Sequence, residues 1–415
     1  MTGTPLHPLI FDWNTVDPPP PVGRVMLDDE TLRDGLQSPS VQTPTIERKI
    51  ELLHLMEQLG IDTADIGLPG AGAHVAADVE CLAREIVDGH LRIRPNCAAR
   101  TLERDIRPIA EISQRVGSAI ECCAFIGSSP IRRYTEGWTL DYLRQHTDEA
   151  IRFAVGEGLP VMYVTEDTTR ADRTSLRTLY LTAIDAGASR LCVADTVGHA
   201  TPAGASAVVR FVREVVVESG ADVEIDWHGH RDRDLAVVNT IAALQAGATR
   251  LHGAALGMGE RVGNTPMDLL LVNLVLMGYL DRDLTALARY CDVAASSCGL
   301  SVPPNYPVFG RDAFRTATGV HAAAIVKAFE KGDDSLADAV YSGVPSRLVG
   351  RAQVIDVGPM SGRSNVVFWL EHRGVEPTAQ RVDAIFALAK ASACVLSDRD
   401  IGTCLAGLEG ERPGP

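Results

Sequence analysis

The sequence predicts an α/β fold, a (β/α)8 TIM barrel followed by a smaller, mostly helical C-terminal region. Short apolar, β-branched runs alternate with amphipathic helical segments eight times. These eight units occupy about 255 residues, which is the size of a closed barrel. No G-x-G-x-x-G follows the first run, which argues against an open dinucleotide-binding sheet.

Eight apolar runs are interpreted as strands. They begin near Arg24, Ile61, Leu91, Ser118, Leu159, Ser189, Ala221 and Ala248. Successive runs start 27 to 41 residues apart, which leaves room for a strand, a helix and two loops. The stretches between them, such as residues 46–60 and 234–247, have helical periodicity and end in glycine, as helices commonly do.

Three segments are predicted along the chain. Residues 1–23 form an N-terminal arm with the proline-rich stretch Pro18–Pro21, and residues 24–280 form the catalytic barrel. Residues 281–415 form a helical C-terminal region, with helical patterns in GVHAAAIVKAFEKG and AQRVDAIFALAKASACVL. Because only 52 residues follow Arg363, we expect no leucine-regulatory domain.

The composition limits which binding partners and which cellular compartment we expect for this protein. The 415 residues include 39 Lys and Arg against 54 Asp and Glu, a net charge of −15, so nucleic acid is not an expected partner. None of the nine cysteines forms a C-x-x-C pair, which argues against a zinc ribbon or a redox motif. No apolar run of 18 residues and no basic, apolar leader occur, so we expect a cytoplasmic protein with no membrane partner.

Polar side chains follow nearly every predicted strand, at the end where barrels build their active sites. They include Arg33, Asp34, Asn96, Ser128, Glu166, Asp195, Thr196, His228, His230 and Glu260. The opposite strand ends carry plain glycine-rich turns such as DGHLRI and AGATRL. The sequence therefore predicts an active site at the carboxyl ends of the strands.

His228 and His230 are the strongest single feature. Residues two apart on a strand face the same way, so both imidazoles can share one cation, although a histidine pair alone is equally compatible with a core role. Asp34 follows the first strand, which a closed barrel places beside the last ones. Two imidazoles and one carboxylate suit an octahedral divalent ion used as a Lewis acid, whereas a structural zinc site would need thiolates.

Three motifs together resemble the isopropylmalate synthase and homocitrate synthase family. They are DETLRDGLQ at 29–37, HGHRD at 228–232 and GMGERVGN at 257–264. The resemblance extends over residues 25–363. It is also compatible with a phosphonomethylmalate synthase-like member of the family. It implies metal-dependent TIM barrels that condense acetyl-CoA, as co-substrate, with a 2-oxo acid and then hydrolyse the thioester.

The resemblance implies a set of metal ligands. Asp34, His228 and His230 would bind a divalent ion, Mg²⁺ or Mn²⁺ with Zn²⁺ as the alternative, and Asn264 would be a fourth or outer-sphere partner. The ion would hold the 2-oxo acid through its keto oxygen and carboxylate. Asp232 is expected to orient the histidine ligands. His54, His74, His199 and His252 are interpreted as structural.

The resemblance also implies catalytic residues. Arg33 would stabilise the developing oxyanion, and Glu166 with His321 would move the proton of the acetyl methyl group. Tyr341 would assist them. In the family the histidine comes from a neighbouring subunit, which implies a homodimer with exchanged C-terminal regions.

The substrate prediction depends on Arg132. Gln37 and Thr196 would position the substrate, and Arg132 matches the arginine with which homocitrate synthases receive a distal carboxylate. The favoured substrate is therefore a dianionic oxo acid such as 2-oxoglutarate, oxaloacetate or phosphonopyruvate. A 2-isopropylmalate synthase using 2-oxoisovalerate, with Arg132 pointing away, stays open.

Two other functions compete with the synthase. One is a carbon–carbon lyase resembling hydroxymethylglutaryl-CoA lyase, whose reactive cysteine lies in a loop near the eighth strand. The corresponding residues 253–264 contain no cysteine. The other is a non-catalytic binding subunit, against which the intact set of polar residues argues.

Overall fold

The structure, a computed structural model, describes residues 7–15 and 22–410. These residues form two compact units. The first comprises residues 13–15 and 22–301, and the second residues 7–12 and 302–410. The first unit continues past residue 280 to Ser301 because the helix Leu287–Cys298 packs against the helix Ile46–Gln58. Most of the predicted N-terminal arm, including Pro18–Pro21, lies outside the described residues.

The first unit contains eight parallel strands in one closed barrel. They are β1 (Met26–Asp29), β2 (Thr63–Asp65), β3 (Arg94–Arg100), β4 (Glu121–Gly127), β5 (Val161–Glu166), β6 (Arg190–Asp195), β7 (Glu224–Gly229) and β8 (Arg250–Gly253). Each strand pairs with the next along the chain, and β8 pairs with β1. The predicted (β/α)8 barrel is confirmed.

Helices follow the strands as the periodicity predicts. In the first unit they are α1 (Ile46–Gln58), α2 (Ala73–Asp88), α3 (Glu103–Val116), α4 (Pro130–Glu136), α5 (Leu140–Gly156), α6 (Arg173–Ala186), α7 (Pro202–Ser219), α8 (Ala236–Ala246), α9 (Met267–Leu276) and α10 (Leu287–Cys298). Local sequence sets their ends. Asp172 caps α6 by accepting a hydrogen bond from the Ser175 N–H, and Gly187 ends it in the left-handed conformation.

The second unit is mostly helical, as predicted. It contains α11 (Gly319–Glu330), α12 (Asp334–Ala339), α13 (Arg363–Glu371), α14 (Ala379–Ala391) and α15 (Asp398–Gly410), with a short parallel pair of β9 (Arg315–Thr316) and β10 (Val354–Ile355). Its core contains Val366, Leu370, Ile385 and Ile401. In neither unit do the described residues form a helix long and apolar enough to cross a membrane.

Barrel closure decides which side chains meet. Asp28 of β1 lies opposite His252 of β8, and Ala194 of β6 lies opposite His228 of β7. The N–H of Glu30, the residue after β1, donates to the Gly253 carbonyl at 2.8 Å. The carboxyl ends of β7, β8 and β1 therefore lie side by side, although β1 is about 200 residues away from β7 and β8 in the sequence.

Candidate active site

A cavity of about 180 Å³ opens at the carboxyl ends of the barrel strands. Its polar side consists of Glu30, Arg33, Asp34, Gln37, Asp65, Glu166, Thr196, His228, His230 and His252. Its apolar side consists of Leu68, Ala98, Cys123, Phe125, Met162, Val164, Cys192 and Ala194. Seven of the residues predicted from sequence therefore line one cavity: Arg33, Asp34, Gln37, Glu166, Thr196, His228 and His230.

Asp34, His228 and His230 each present a ligand atom within 4.8 Å of the others. Oδ2 of Asp34 is 3.8 Å from Nε2 of His230 and 4.0 Å from Nε2 of His228. Two ligands bound at about 2.1 Å to one octahedral ion lie roughly 3 to 4.2 Å apart. The spacing therefore fits three ligands of a shared cation.

The protonation states of His230 and Asp34 also fit a cation, whereas Glu30 raises the pKa of His228 against the effect of burial. Burial and the neighbouring His228 lower the pKa of His230 to about 4, so its imidazole is neutral at pH 7. Burial alone would raise the pKa of Asp34, but Arg33 and His228 hold it below its usual range. A neutral imidazole and a carboxylate are the forms that bind metal. The donor set therefore fits a divalent ion of the Mg²⁺, Mn²⁺ or Zn²⁺ type.

Asn264 stands behind Asp34. Its Nδ2 donates to Oδ2 of Asp34 at 2.7 Å and to the Met258 carbonyl at 3.0 Å. A Cβ on Gly259, where φ is +146°, would lie 2.4 Å from that Nδ2, so the close approach requires glycine. These contacts are compatible with the outer-sphere form of its predicted role, and the role of Asn264 at a metal stays a prediction.

Glu30 pairs with His228, a contact that the sequence does not reveal. Nδ1 of His228 lies 2.7 Å from Oε2 of Glu30. Asp232, expected to orient the histidine ligands, pairs instead with Arg261 at 2.7 and 3.0 Å, so that expectation is wrong. The reason is the backbone: after His230 the chain leaves the barrel in a turn.

Arg33 is fixed by three carboxylates. Its Nε donates to Asp65 at 2.6 Å, and its two terminal nitrogens donate to Asp34 at 2.8 Å and Glu30 at 3.3 Å. Burial raises the pKa of Asp65 to about 7 even though the Arg33 guanidinium opposes the shift. The guanidinium is 17% exposed, and it lies beside Asp34 with its position fixed before any substrate binds.

Glu166 and Arg132 are neighbours at the end of β5 and the start of α4. Burial raises the pKa of Glu166, while Arg132 lowers it less. The Nη1 of Arg132 pairs with Glu136 at 2.9 Å, and its Nε lies 3.6 Å from Glu166. Arg132 is not among the cavity-lining residues. Its predicted contact with substrate stays a prediction.

His321 and Tyr341 belong to the second unit. The two rings stack with centroids 4.2 Å apart, His321 in the first turn of α11 and Tyr341 after α12. Both side chains are exposed, Tyr341 to 48%. The structure brings these two predicted catalytic residues together, and their action on the barrel cavity stays a prediction.

A sequence model of the HMGL-like family matches residues 24–294, the whole of the barrel. The chain belongs to the HMGL-like family. It is 30% identical over 371 residues to a probable 2-isopropylmalate synthase of Methanopyrus kandleri, covering 88% of this chain and 69% of the relative. It is 31% identical over 385 residues to homocitrate synthase AksA of the same organism, covering 91% and 89%.

These relatives confirm the predicted isopropylmalate and homocitrate synthase group within the HMGL-like family. They also confirm the predicted enzyme class, an acetyl-CoA-dependent synthase. Among solved structures, a hydroxymethylglutaryl-CoA lyase of Bacillus subtilis superposes with a TM-score of 0.57 at 20% identity, covering 68% of this chain and 97% of the lyase. At that identity the likeness concerns the barrel fold alone.

Proposed function

We propose that this HMGL-like enzyme condenses acetyl-CoA with a 2-oxo acid to give a 2-substituted malate and CoA. The observation that carries the proposal is the Asp34, His228 and His230 donor set at the polar side of a cavity the size of a small acid. The cavity holds about 180 Å³, below the roughly 300 to 1,000 Å³ of sites for drug-sized ligands. The bulk of a CoA molecule would therefore lie outside it.

The chemistry requires a new carbon–carbon bond. A methyl C–H bond of acetyl-CoA breaks, and the carbon bonds to the keto carbon of the oxo acid, whose oxygen takes a proton. Water then cleaves the thioester C–S bond, which releases the CoA thiol and a second carboxylate. The enzyme must therefore supply a base, a proton donor and stabilisation for two oxyanions.

The residues of the chain match these needs. Asp34, His228 and His230 would hold a divalent ion, which when bound supplies Lewis-acid polarisation of a carbonyl oxygen. Arg33, positioned beside Asp34, would donate hydrogen bonds to a developing oxyanion. Glu166 lines the cavity with a raised pKa, which suits a group that accepts and returns a proton.

The apolar side of the cavity indicates the side chain of the oxo acid. Arg33 is the one guanidinium among the residues that line the cavity, three of its five N–H groups already donate to carboxylates, and the remaining two are those proposed for the developing oxyanion. No free cation in this lining can receive a distal acid group, and burying an unpaired carboxylate there is costly. We propose a 2-oxo acid with a short apolar side chain, of the 2-oxoisovalerate type.

A dianionic oxo acid is the second candidate for the substrate, because one nitrogen of Arg132 is available to a second acid group. Its Nε is buried without a hydrogen-bond partner among the described residues, 3.6 Å from Glu166 at the cavity wall. To reach a substrate, the guanidinium would have to leave Glu136. Its stem packs tightly on Gly127, where an added Cβ would lie 2.6 Å from the Arg132 Cγ.

A thiol-release assay decides between the candidates. The protein with Mn²⁺ or Mg²⁺ and acetyl-CoA is offered pyruvate, 2-oxoisovalerate, 2-oxoglutarate, oxaloacetate and phosphonopyruvate. We expect the highest kcat/KM with 2-oxoisovalerate, loss of activity with EDTA and its return with added metal. Thiol release with none of the acids would refute the synthase function. Preference for a dianion that disappears in Arg132→Met would refute the apolar substrate.

We further propose that the active enzyme is a homodimer with exchanged C-terminal regions, His321 acting on the partner's cavity. The support is the separation of the predicted catalytic groups, Asp34 in the first unit and His321 with Tyr341 in the second. Mixing inactive Asp34→Asn and His321→Ala chains after dissociation tests it. Exchange predicts recovery of about a quarter of wild-type activity, since half of the dimers are mixed and each has one complete site. Recovery of none would refute it.

A further inference from the structure

The ring of His228 connects the candidate cation site with a buried carboxylate. Its Nε2 faces Asp34, 4.0 Å from Oδ2, and its Nδ1 lies 2.7 Å from Oε2 of Glu30 on the opposite side. A neutral imidazole carries one proton, and the atom that carries it decides which nitrogen has a free lone pair. A carboxylate at Nδ1 holds the proton there and leaves the Nε2 lone pair facing Asp34.

Glu30 is itself held in place by His252, by Arg33 and by the backbone of β8. Its Oε1 lies 3.0 Å from Nδ1 of His252 and accepts from Arg33 at 3.3 Å, and Nε2 of His252 lies 3.1 Å from Oδ2 of Asp226. Its backbone N–H donates to the Gly253 carbonyl at 2.8 Å. The exposed fraction of Glu30 is 3%, that of His252 is 1%, and Asp226 is fully buried.

The second histidine of the site lacks such support. Nδ1 of His230 is buried without a hydrogen-bond partner among the described residues. Its Nε2 still faces Asp34 at 3.8 Å. Of the two histidines, only His228 has a carboxylate oxygen within 3 Å of its Nδ1 among the described residues.

We propose that Glu30 is a positioning residue for the cation site, which acts by fixing the Nδ1–H tautomer and the ring orientation of His228. His252 and Asp226 keep the Glu30 carboxylate in the required place. This inference rests on the metal site of the proposed function, but not on the identity of the oxo acid. It predicts that Glu30 determines metal affinity without touching substrate.

Mn²⁺ affinity, measured from the EPR signal of free Mn²⁺ without any substrate, tests the inference. Glu30→Gln keeps the shape of the side chain but loses the charge, and we expect Mn²⁺ binding to weaken about 10- to 100-fold. Glu166→Gln is the matched control, since it removes one carboxylate from the same cavity without contacting either histidine ligand. Its Mn²⁺ affinity should stay within about threefold of wild type.

A second measurement uses the wild-type protein, so it does not depend on the folding of a variant. The ¹⁵N–¹H spectrum of the histidine rings with Mg²⁺ bound, assigned with His228→Gln, reports which nitrogen of His228 carries the proton. We expect Nδ1. A proton on Nε2, or Mn²⁺ affinity of folded Glu30→Gln equal to wild type, overturns the inference. No Mn²⁺ binding by wild type overturns both it and the metal site, whereas thiol release failing with intact Mn²⁺ binding overturns the synthase function alone.

Discussion

Removing Arg250 from the barrel interior should cost several kcal/mol of stability. The side chain is 1% exposed, its Nε donates to Asp226 at 2.6 Å, and its Nη2 donates to Glu121 at 2.7 Å. Arg250→Met keeps much of the side-chain volume but leaves two carboxylates without their shared cation. Buried charge without a partner is far more costly than the same pair intact.

The contacts that Asp226 keeps in the Arg250→Met protein determine the size of the stability loss. Breaking a buried ion pair from one side costs about 3 to 5 kcal/mol. Asp226 keeps Arg190, whose Nε donates at 2.8 Å, and His252 at 3.1 Å, so the lower end, about 3 kcal/mol, applies. For a chain of 415 residues such a loss lowers Tm by about 3 to 4 °C.

Thermal unfolding by circular dichroism at a fixed scan rate measures the effect, and Arg92→Met is the matched control. The Arg92 side chain is 84% exposed and pairs with Glu57 on the surface at 2.8 Å. Exposed pairs contribute little to stability, so its Tm should fall by no more than about 1 °C. An Arg250→Met protein with the same Tm as Arg92→Met would refute the reasoning.

Three further predictions concern pH, specificity and the second unit. Burial raises the pKa of Asp29 to about 7, so the stability its neutral form contributes is complete below about pH 4, the unfolded pKa, and is lost as the pH rises through 7. Asp29→Asn should remove that loss, and a Tm that still falls by the same amount between those pH values would contradict it. Ala98→Leu fills the apolar wall and should lower kcat/KM for 2-oxoisovalerate about tenfold more than for pyruvate; equal losses would show that Ala98 does not border the substrate side chain. His321→Ala should lower kcat about 100-fold or more while Mn²⁺ affinity is unchanged. Tyr341→Phe keeps the stacked ring and should lower kcat about tenfold or less. A wild-type rate in His321→Ala would show that His321 is not a catalytic residue.

Much of the barrel could be predicted from the sequence because its signals are local. Each strand is a short apolar run, and glycines such as Gly187 and Gly247 end the helices in the left-handed conformation. The pair His228 and His230 is also a local pattern, because strand geometry alone places both rings on one face. Barrel closure places the end of the first strand beside the last strands, so the sequence also predicts that Asp34 lies near these two histidines.

The network behind the site could not be predicted, because it depends on barrel closure. Glu30 and His252 stand 222 residues apart and meet because β1 pairs with β8. No local pattern marks the contact between Glu30 and His252, so the sequence predicts only a structural role for His252. Asp232 is close to the histidines in sequence, but after the turn that follows His230 it pairs with Arg261.

Because the barrel is closed, one residue, Asp226, takes part both in the contacts that stabilise the barrel and in those that support the candidate cation site. Asp226 accepts from Arg250 and Arg190 on one side and contacts His252, the support of Glu30, on the other. Because Arg250→Met leaves the contact of Asp226 with His252 in place, it should lower Tm while Mn²⁺ affinity stays within about threefold of wild type. Glu30→Gln should weaken Mn²⁺ binding about 10- to 100-fold, since a neutral amide at Glu30 releases His228, and its Tm should fall as well because Arg33 and His252 lose a buried counterion. If Arg250→Met instead lost stability and Mn²⁺ affinity together, the buried charges would act as one unit, and Glu30 would have no separate role in positioning the ligand.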